Sequence, residues 1–109
     1  MRETKLERDF QADLIRELKE LFPGCVVLKN DSAYLQGIPD LTILYRKHWA
    51  VLEVKPFQNA AHQPNQDYYV DMLDDMSYGA FIYPENKKVV LDELHHAFRA
   101  RRPARVSQR

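Results

Sequence analysis

The chain contains 109 residues, the length of one typical domain, and its apolar fraction of 45% and charged fraction of 29% are ordinary for a globular protein. No apolar run approaches the ~20 residues that a membrane helix needs, and the charged N-terminal segment lacks the apolar core of a signal peptide. The single cysteine, Cys25, excludes an internal disulfide framework and a zinc site built from several cysteines. We therefore expect a cytoplasmic protein with no membrane-embedded part.

The net charge is zero, but the charges are unevenly distributed. The last eleven residues contain five arginines and no acid, which leaves 11 basic and 16 acidic residues in positions 1–98. A basic segment after an acidic body is either an arm that binds nucleic acid or a solvated chain terminus. We divide the chain into a single domain over residues 1–98 and a basic, flexible tail over residues 99–109, in which Arg101 and Arg102 are candidate DNA contacts.

The first half of the chain predicts one helix followed by three strands. Apolar residues recur at steps of three and four over residues 4–22, which is typical of a helix with one buried face. These residues are Leu6, Phe10, Leu14, Leu18 and Leu21, with Phe22 beside them. Pro23 and Gly24 end the helix. Strands are predicted over residues 25–29, 40–45 and 49–55. The short polar segment 46–48 predicts that the last two form a hairpin.

The second half of the chain predicts two helices separated by a strand. Pro64 suits the first turn of a helix that continues to about Met76. A fourth strand covers residues 79–83, and a last helix covers about residues 88–101. The core-facing positions of the last helix are predicted to be Val89, Leu91, Leu94 and Phe98. The order α-β-β-β-α-β-α predicts an α/β fold in which helices cover a sheet, and the helical crossover predicts that strands three and four are parallel.

An acid and an amine interrupt the apolar third strand. Side chains alternate between the two faces of a strand, so Glu53 and Lys55 point to the same side. In a hairpin whose turn centres on Lys47, Asp40 lies opposite residue 54, with a margin of one residue for the turn type. The pattern therefore predicts that two carboxylates and an ammonium group lie close together.

Two interpretations of this cluster are open. Two carboxylates, a backbone carbonyl from Val54 and several waters suit Mg²⁺, and such a cation lowers the pKa of a bound water. Lys55 would then hold the attacking water or stabilise the developing charge, which is chemistry suited to hydrolysis of a phosphodiester. The alternative is an exposed ion pair between Glu53 and Lys55, worth about 0–1 kcal/mol.

Two helical residues extend the candidate site. Glu7 lies three residues before Phe10, on or beside the apolar stripe of the first helix. It is either a solvated border residue or a ligand that reaches inward, and Glu3, one turn earlier, is a weaker rival. Gln66 lies on the inner face of the second helix, together with Tyr69. It faces the site, caps the helix from its third position, or does both.

The first loop offers candidate contacts to nucleic acid. Lys29, Asn30 and Tyr34 could bind phosphate or stack on a base, and a structural role in the loop is an equal alternative. The outer face of the second helix repels a phosphate backbone because it carries four aspartates, Asp67, Asp71, Asp74 and Asp75. The four histidines are predicted to be ordinary surface residues, and Cys25 is predicted to be a small core residue.

Three short motifs together resemble the PD-(D/E)xK nuclease superfamily. They are Gly37-Ile38-Pro39-Asp40, Leu52-Glu53-Val54-Lys55 and Gln66-Asp67-Tyr68-Tyr69. Within that superfamily, the combination is most similar to small stand-alone nucleases of the VRR-NUC type and to phage-type endonucleases that resolve Holliday junctions. The resemblance covers roughly residues 4–86, and Gln63 stands where that subfamily has a serine or threonine cap.

The resemblance implies a restriction-endonuclease-like fold, in which helices flank a central mixed sheet. It implies that Asp40 and Glu53 bind Mg²⁺ or Mn²⁺, that Lys55 is the catalytic lysine, and that Glu7 and Gln66 complete the site. The implied activity is a metal-dependent endonuclease that cuts branched or duplex DNA by in-line attack of water, with inversion at phosphorus. A homodimer is expected because cutting two strands symmetrically needs two active sites.

By resemblance, such an enzyme would act in DNA recombination or repair, in the cytoplasm of a bacterial or phage-infected cell. Two alternatives from other classes are a non-catalytic module that binds nucleic acid and an interaction subunit built on the same fold. Cleavage that depends on a divalent cation separates the enzyme from both alternatives.

Overall fold

The computed structural model describes residues 2–99, and their side chains from Lys5 onward. Its elements are α1 (Arg2–Leu21), β1 (Val26–Lys29), β2 (Leu41–Tyr45), β3 (His48–Val54), α2 (Gln66–Met76), β4 (Gly79–Ile82), a 3₁₀ turn (Pro84–Asn86) and α3 (Lys87–Arg99). This order confirms the predicted α-β-β-β-α-β-α arrangement. The predicted DNA contacts Arg101 and Arg102, and the side chain of Glu3, lie outside the described residues. No helix within residues 2–99 is long and apolar enough to cross a membrane.

The four strands form one mixed sheet in the order β1-β2-β3-β4. β2 is antiparallel to both β1 and β3. β4 is parallel to β3, as the helical crossover predicts. In the β2–β3 hairpin, Leu41 pairs with Leu52 and Tyr45 pairs with His48. The turn therefore has two residues rather than three, and Arg46 adopts a left-handed φ of 57° there. The register is one residue from the predicted centre, within the predicted margin, and Asp40 lies next to the residue that pairs with Leu52.

One face of the sheet is covered by α1 and α3, and it contains the main hydrophobic core. Leu14 and Leu18 on α1 and Phe22, the residue directly after it, are buried, and each lies four residues after the previous one. The ring of Phe22 contacts the ring of Phe98 on α3, with 5.1 Å between the centroids. The remaining core residues come from the sheet and α3: Leu41, Ile43, Ala50, Leu52, Val54, Ile82, Val90, Leu91 and Leu94.

The opposite face of the sheet is covered by α2 over β3 and β4 only. Val51 on β3 and Val70 on α2 are buried on this side. The half of this face that belongs to β1 and β2 is more open, since Val26, Leu28 and Leu44 are 50%, 44% and 40% exposed. The odd-numbered residues of β3, which include Glu53, therefore face α2, while the even-numbered residues face the main core.

Several predicted helix positions are wrong by one or two residues. Val89 is 58% exposed, and Val90 is the buried residue at this position of α3. Likewise, α2 begins at Gln66 rather than at Pro64. In both cases a short non-helical or 3₁₀ turn precedes the helix and shifts its phase. On α1, two residues of the predicted apolar stripe, Leu6 and Leu21, are 47% and 39% exposed, and Leu21 lies beside the buried i, i+4 row rather than on it.

Candidate functional site

A cleft of about 560 Å³ opens where β3 ends. One wall is the loop over residues 32–38, and the other is the segment over residues 60–66, which leads into α2. Five residues predicted from the sequence line this cleft: Glu7, Asp40, Glu53, Lys55 and Gln66. Residues from α1, the start of β2, the end of β3 and the start of α2 thus meet in one place, as the hairpin and helix patterns predict.

The two carboxylates at the bottom of the cleft have different environments. Asp40 Oδ2 accepts the backbone N–H of Val54 at 2.9 Å, which fixes this carboxylate against the end of β3. Glu53 is only 2% exposed, and its Oε2 accepts the side-chain amide of Gln66 at 2.8 Å. Glu53 Oε1 is buried and has no hydrogen-bond partner among the described residues. The Asp40 carboxyl is nevertheless close enough for a hydrogen bond between the two acids when one of them is protonated, so this oxygen can serve either that bond or a ligand.

The pKa values of both carboxyl groups are raised, which means that ionising the two together is unfavourable. Burial and the neighbouring charge of Asp40 together raise the pKa of Glu53 to about 8, against the opposing effect of Lys55. Burial also raises the pKa of Asp40, although the hydrogen bond from Val54 opposes this shift. The charge of Glu7 also raises the pKa of Glu53, which shows that α1 brings a third carboxylate near the cleft. Both shifts favour a state in which the two carboxyl groups share one proton when no cation is bound.

Lys55 and Gln66 form a connected network with Glu53. Lys55 is 6% exposed, and its Nζ donates to the carbonyl of Ala61 at 2.9 Å and to Gln66 Oε1 at 2.7 Å. The same Gln66 oxygen accepts the backbone N–H of Gln63 at 2.8 Å. Two donors therefore fix the orientation of the Gln66 amide, and its Nε2 must face Glu53. One of the three N–H groups of Lys55 keeps no protein acceptor among the described residues.

This geometry decides between alternatives that the sequence leaves open. Glu53 and Lys55 are buried, so the interpretation as an exposed surface ion pair is wrong. Their charged atoms lie 3.9 Å apart, and Gln66 bridges them instead. Gln66 contacts the site, as one of its two predicted roles requires. It does not cap α2 from a third helical position, because α2 begins at Gln66, and the oxygen that accepts from Lys55 instead accepts the N–H of Gln63 in the preceding turn.

The three predicted DNA contacts of the first loop fall into two groups. The amide Nδ2 of Asn30 donates to the carbonyl of Pro39 at 2.9 Å and to Thr42 Oγ1 at 2.8 Å, which gives Asn30 the structural role. Lys29 is exposed at the end of β1, and Tyr34 is 87% exposed beside the cleft wall. These two side chains remain available to a ligand.

Sequence reasoning missed three polar residues that line the cleft, namely Ser32, Gln36 and Gln63. They lie in loops, where no hydrophobic period marks a face. The sequence marks two of them only by their closeness to predicted site residues. Gln36 directly precedes the Gly37–Asp40 motif, and Gln63 lies three residues before Gln66.

The donor set of the cleft fits a hard divalent cation. Among residues whose side chains the structure describes, no group of three or more His, Cys, Asp or Glu side chains is close enough to hold a metal ion by itself. Two carboxylates near each other and a buried, unpartnered Glu53 oxygen nevertheless suit Mg²⁺ or Mn²⁺, since Mg²⁺ keeps several waters among its ligands. The Val54 carbonyl and Glu7 remain predicted additional ligands.

Two histidines and the single cysteine, residue types that often bind metals, pack against aromatic rings or the core instead. The rings of His48 and His62 stack on Phe98 and Phe81, with 5.8 Å and 4.1 Å between the centroids. Cys25 is partly buried beside the core, and burial raises the pKa of its thiol. Neither residue type lines the cleft.

Comparisons with known proteins do not assign this chain to a family. A scan against models of protein families found no match, and searches of curated proteins and of solved structures found none either.

Proposed function

We propose that this chain is a divalent-metal-dependent endonuclease that hydrolyses phosphodiester bonds in DNA. The observation that carries the proposal is the buried carboxylate of Glu53, whose Oε1 has no partner among the described residues while Asp40 and Lys55 line the same cleft. Burying two ionised carboxylates together is costly, and a divalent cation bound between them would offset that cost.

The residues of the cleft supply complementary parts of this reaction. Asp40 and Glu53 would hold the cation, with the Val54 carbonyl and Glu7 as further oxygen ligands. A bound Mg²⁺ or Mn²⁺ would lower the pKa of a bound water and neutralise charge on a phosphate oxygen. Lys55 uses its remaining N–H to orient the attacking water or a phosphate oxygen.

In this proposal, water attacks the phosphorus and the P–O bond opposite it breaks, which inverts the configuration. Gln66 holds the acid and the amine in place, through its contacts to Glu53 Oε2 and Lys55 Nζ. Because burial raises the pKa of both carboxyl groups, cation binding would release the proton that they share.

The proposal predicts DNA cleavage that depends on Mg²⁺ or Mn²⁺ and is lost in EDTA. Asp40→Asn keeps the shape of the side chain but removes its charge, so we expect it to weaken the apparent Mg²⁺ affinity about 10–100-fold. The measurement is cleavage of labelled four-way-junction, flap and duplex DNA over a range of Mg²⁺ concentrations. Cleavage of the junction in preference to duplex would support the proposed selectivity for branched DNA.

The matched control is Asp71→Asn, which removes an exposed carboxylate on α2 that does not line the cleft. Its apparent Mg²⁺ affinity should equal that of the wild type. If no divalent cation supports cleavage of any DNA form while binding persists, the chain is a non-catalytic nucleic-acid-binding module. If neither cleavage nor binding is found, the interpretation as an interaction subunit replaces the proposal.

We further propose that the arginine-rich end of the chain binds the DNA backbone. Deleting residues 100–109 removes four arginines, including Arg101 and Arg102, and leaves α3 intact. The deletion should weaken DNA binding and reduce the slope of log K against log salt by roughly 1 for each arginine that contacts phosphate. Fluorescence anisotropy at several salt concentrations measures this slope, and an unchanged slope would exclude the role.

Finally, we propose that the active form is a homodimer. Symmetric cleavage of two strands requires two active sites, and one cleft of this size serves one phosphodiester at a time.

A further inference from the structure

The two walls of the cleft touch through the backbone of Gly37. Gly37 is buried and has a φ of +93°, which L side chains rarely adopt. A Cβ placed on Gly37 would lie 2.5 Å from the Cβ of Asn65, 2.7 Å from its carbonyl carbon and 2.9 Å from its carbonyl oxygen. Asn65 has a left-handed φ of 72° and immediately precedes α2. The absence of a side chain at position 37 is therefore what lets these two segments meet.

Each of the touching segments leads directly to a polar group of the site. Three residues after Gly37, Asp40 begins the path into β2, and Asn30 anchors this path through the carbonyls of Pro39 and Asp40. One residue after Asn65, Gln66 begins α2 and contacts both Glu53 and Lys55. The contact between Gly37 and Asn65 thus joins the wall that leads to Asp40 to the wall that carries Gln66.

We propose that Gly37 is a positioning residue, whose contact with Asn65 sets the distance of Gln66 from Glu53 and Lys55. This inference deepens the proposed function and rests on it for its kinetic consequence only. A Cβ at position 37 meets backbone atoms of Asn65, which cannot rotate away as the end of a long side chain could. The start of α2 must therefore move away from the loop, and Gln66 must move with it.

Such a movement would break the hydrogen bonds of Gln66 to Lys55 and Glu53 but leave the main hydrophobic core in place. The Gln66 contacts to Lys55 Nζ and Glu53 Oε2 are 2.7 Å and 2.8 Å long, so a shift of about 1 Å takes both beyond hydrogen-bond distance. The main core lies on the other face of the sheet, and neither Gly37 nor Asn65 belongs to it. Displacement of about 1 Å at a catalytic group costs on the order of 100-fold in rate.

The test compares Gly37→Ala with Gly24→Ala. Gly24 has nearly the same backbone conformation, with a φ of +90°, but nothing lies within 4 Å of a Cβ placed there. Both variants carry the conformational cost of alanine at a positive φ, and only Gly37→Ala creates the collision. We expect Gly37→Ala to lower kcat roughly 10–100-fold with little change in KM, whereas Gly24→Ala keeps the wild-type kcat.

A second measurement does not depend on activity. The side-chain NH₂ resonances of Gln66 report its hydrogen bond to Glu53, and NMR of the metal-free protein should show them shifted in Gly37→Ala and unchanged in Gly24→Ala. If the wild type cleaves no DNA, the proposed function fails, and these spectra still decide whether Gly37 positions Gln66.

A second substitution keeps the test valid if Gly37→Ala folds poorly. Asn65→Gly removes the closest colliding atom, the Cβ at 2.5 Å, so the double variant should recover part of the kcat and of the Gln66 resonance positions. Equal kcat and equal Gln66 resonances in Gly37→Ala and Gly24→Ala would overturn the proposal.

Discussion

Replacing Lys55 with methionine is expected to lower kcat for DNA cleavage by roughly 10²–10³-fold, the effect of removing one charge-stabilising donor from an enclosed site. Methionine keeps the length and apolar stem of the side chain, but it removes the buried cation and its free N–H. The carbonyl of Ala61 and Gln66 Oε1 also lose their 2.9 Å and 2.7 Å donors. Single-turnover cleavage at saturating Mg²⁺ isolates the chemical step from substrate binding.

The control for this substitution is Lys19→Met, which removes an exposed lysine on α1 outside the cleft. We expect its kcat to stay within about twofold of the wild type, since surface charges far from a site contribute little. A kcat for Lys55→Met that equals the wild-type kcat would remove the lysine from the mechanism. Circular dichroism and Mn²⁺ binding of the variant distinguish a lost chemical group from a lost fold.

Replacing Glu53 with glutamine is expected to stabilise the metal-free protein at high pH. In the folded chain the pKa of Glu53 is raised from its ordinary 4.5 to about 8, so between these values the folded state holds a proton that the unfolded state releases. The wild type therefore loses stability as pH rises through this window, and the loss is complete above pH 8. Glutamine has no such proton. The variant should be more stable by on the order of 2–4 kcal/mol above pH 8, and the difference should vanish near pH 4.5.

Saturating Mg²⁺ should reverse this order. A cation at 1,000 times its dissociation constant stabilises the folded wild type by about 4.1 kcal/mol, which exceeds the opposing difference, and Glu53→Gln loses one of the two carboxylates that would bind it. Urea denaturation across the pH range, in EDTA and in Mg²⁺, measures both effects. Glu20→Gln serves as the control, because it makes the same chemical change at an exposed position of α1. Parallel pH curves for Glu53→Gln and the wild type would contradict the raised pKa.

The sheet was predictable because its strands carry strong local signals. The apolar runs around Ile43 and Val51 identify β2 and β3, and the polar segment between them fixes the hairpin to within one residue. The remaining uncertainty in register comes from the turn, whose length depends on the backbone conformation of Arg46. A left-handed φ at an arginine leaves no mark in the hydrophobic pattern, so the two-residue turn could not be distinguished from a three-residue turn.

The presence of each helix could be predicted from the sequence, but the residues that it buries could not all be predicted. Val89, Val90 and Leu91 are consecutive apolar residues, and a hydrophobic period alone does not say which of them point inward. The 3₁₀ turn at Pro84–Asn86 sets the phase of α3, and Val90 and Leu91 become the buried pair. This turn depends on the capping contacts between Tyr83 and Asn86, which are tertiary details rather than periodic ones.

In the candidate site, the residues on strands could be predicted from the sequence, but the contacts that depend on loops could not. Asp40, Glu53 and Lys55 could be grouped because strand alternation and hairpin pairing are geometric rules with few alternatives. The hydrogen bond from Gln63 to Gln66 and the structural role of Asn30 could not be derived, since each depends on atoms of a loop whose course no periodic pattern describes. The close contact of Gly37 with Asn65 belongs to the same class of information.

The Gln66 amide also restricts how this site can change during evolution. The Gln66 amide accepts a hydrogen bond from an ammonium group through its oxygen and donates one to a carboxyl group through its nitrogen. Exchange of Glu53 and Lys55 for a reversed pair would require the amide to turn around, but the N–H of Gln63 holds its oxygen in place. Mutational paths that alter one member alone therefore pass through a mismatched intermediate, and coordinated substitutions become the accessible route.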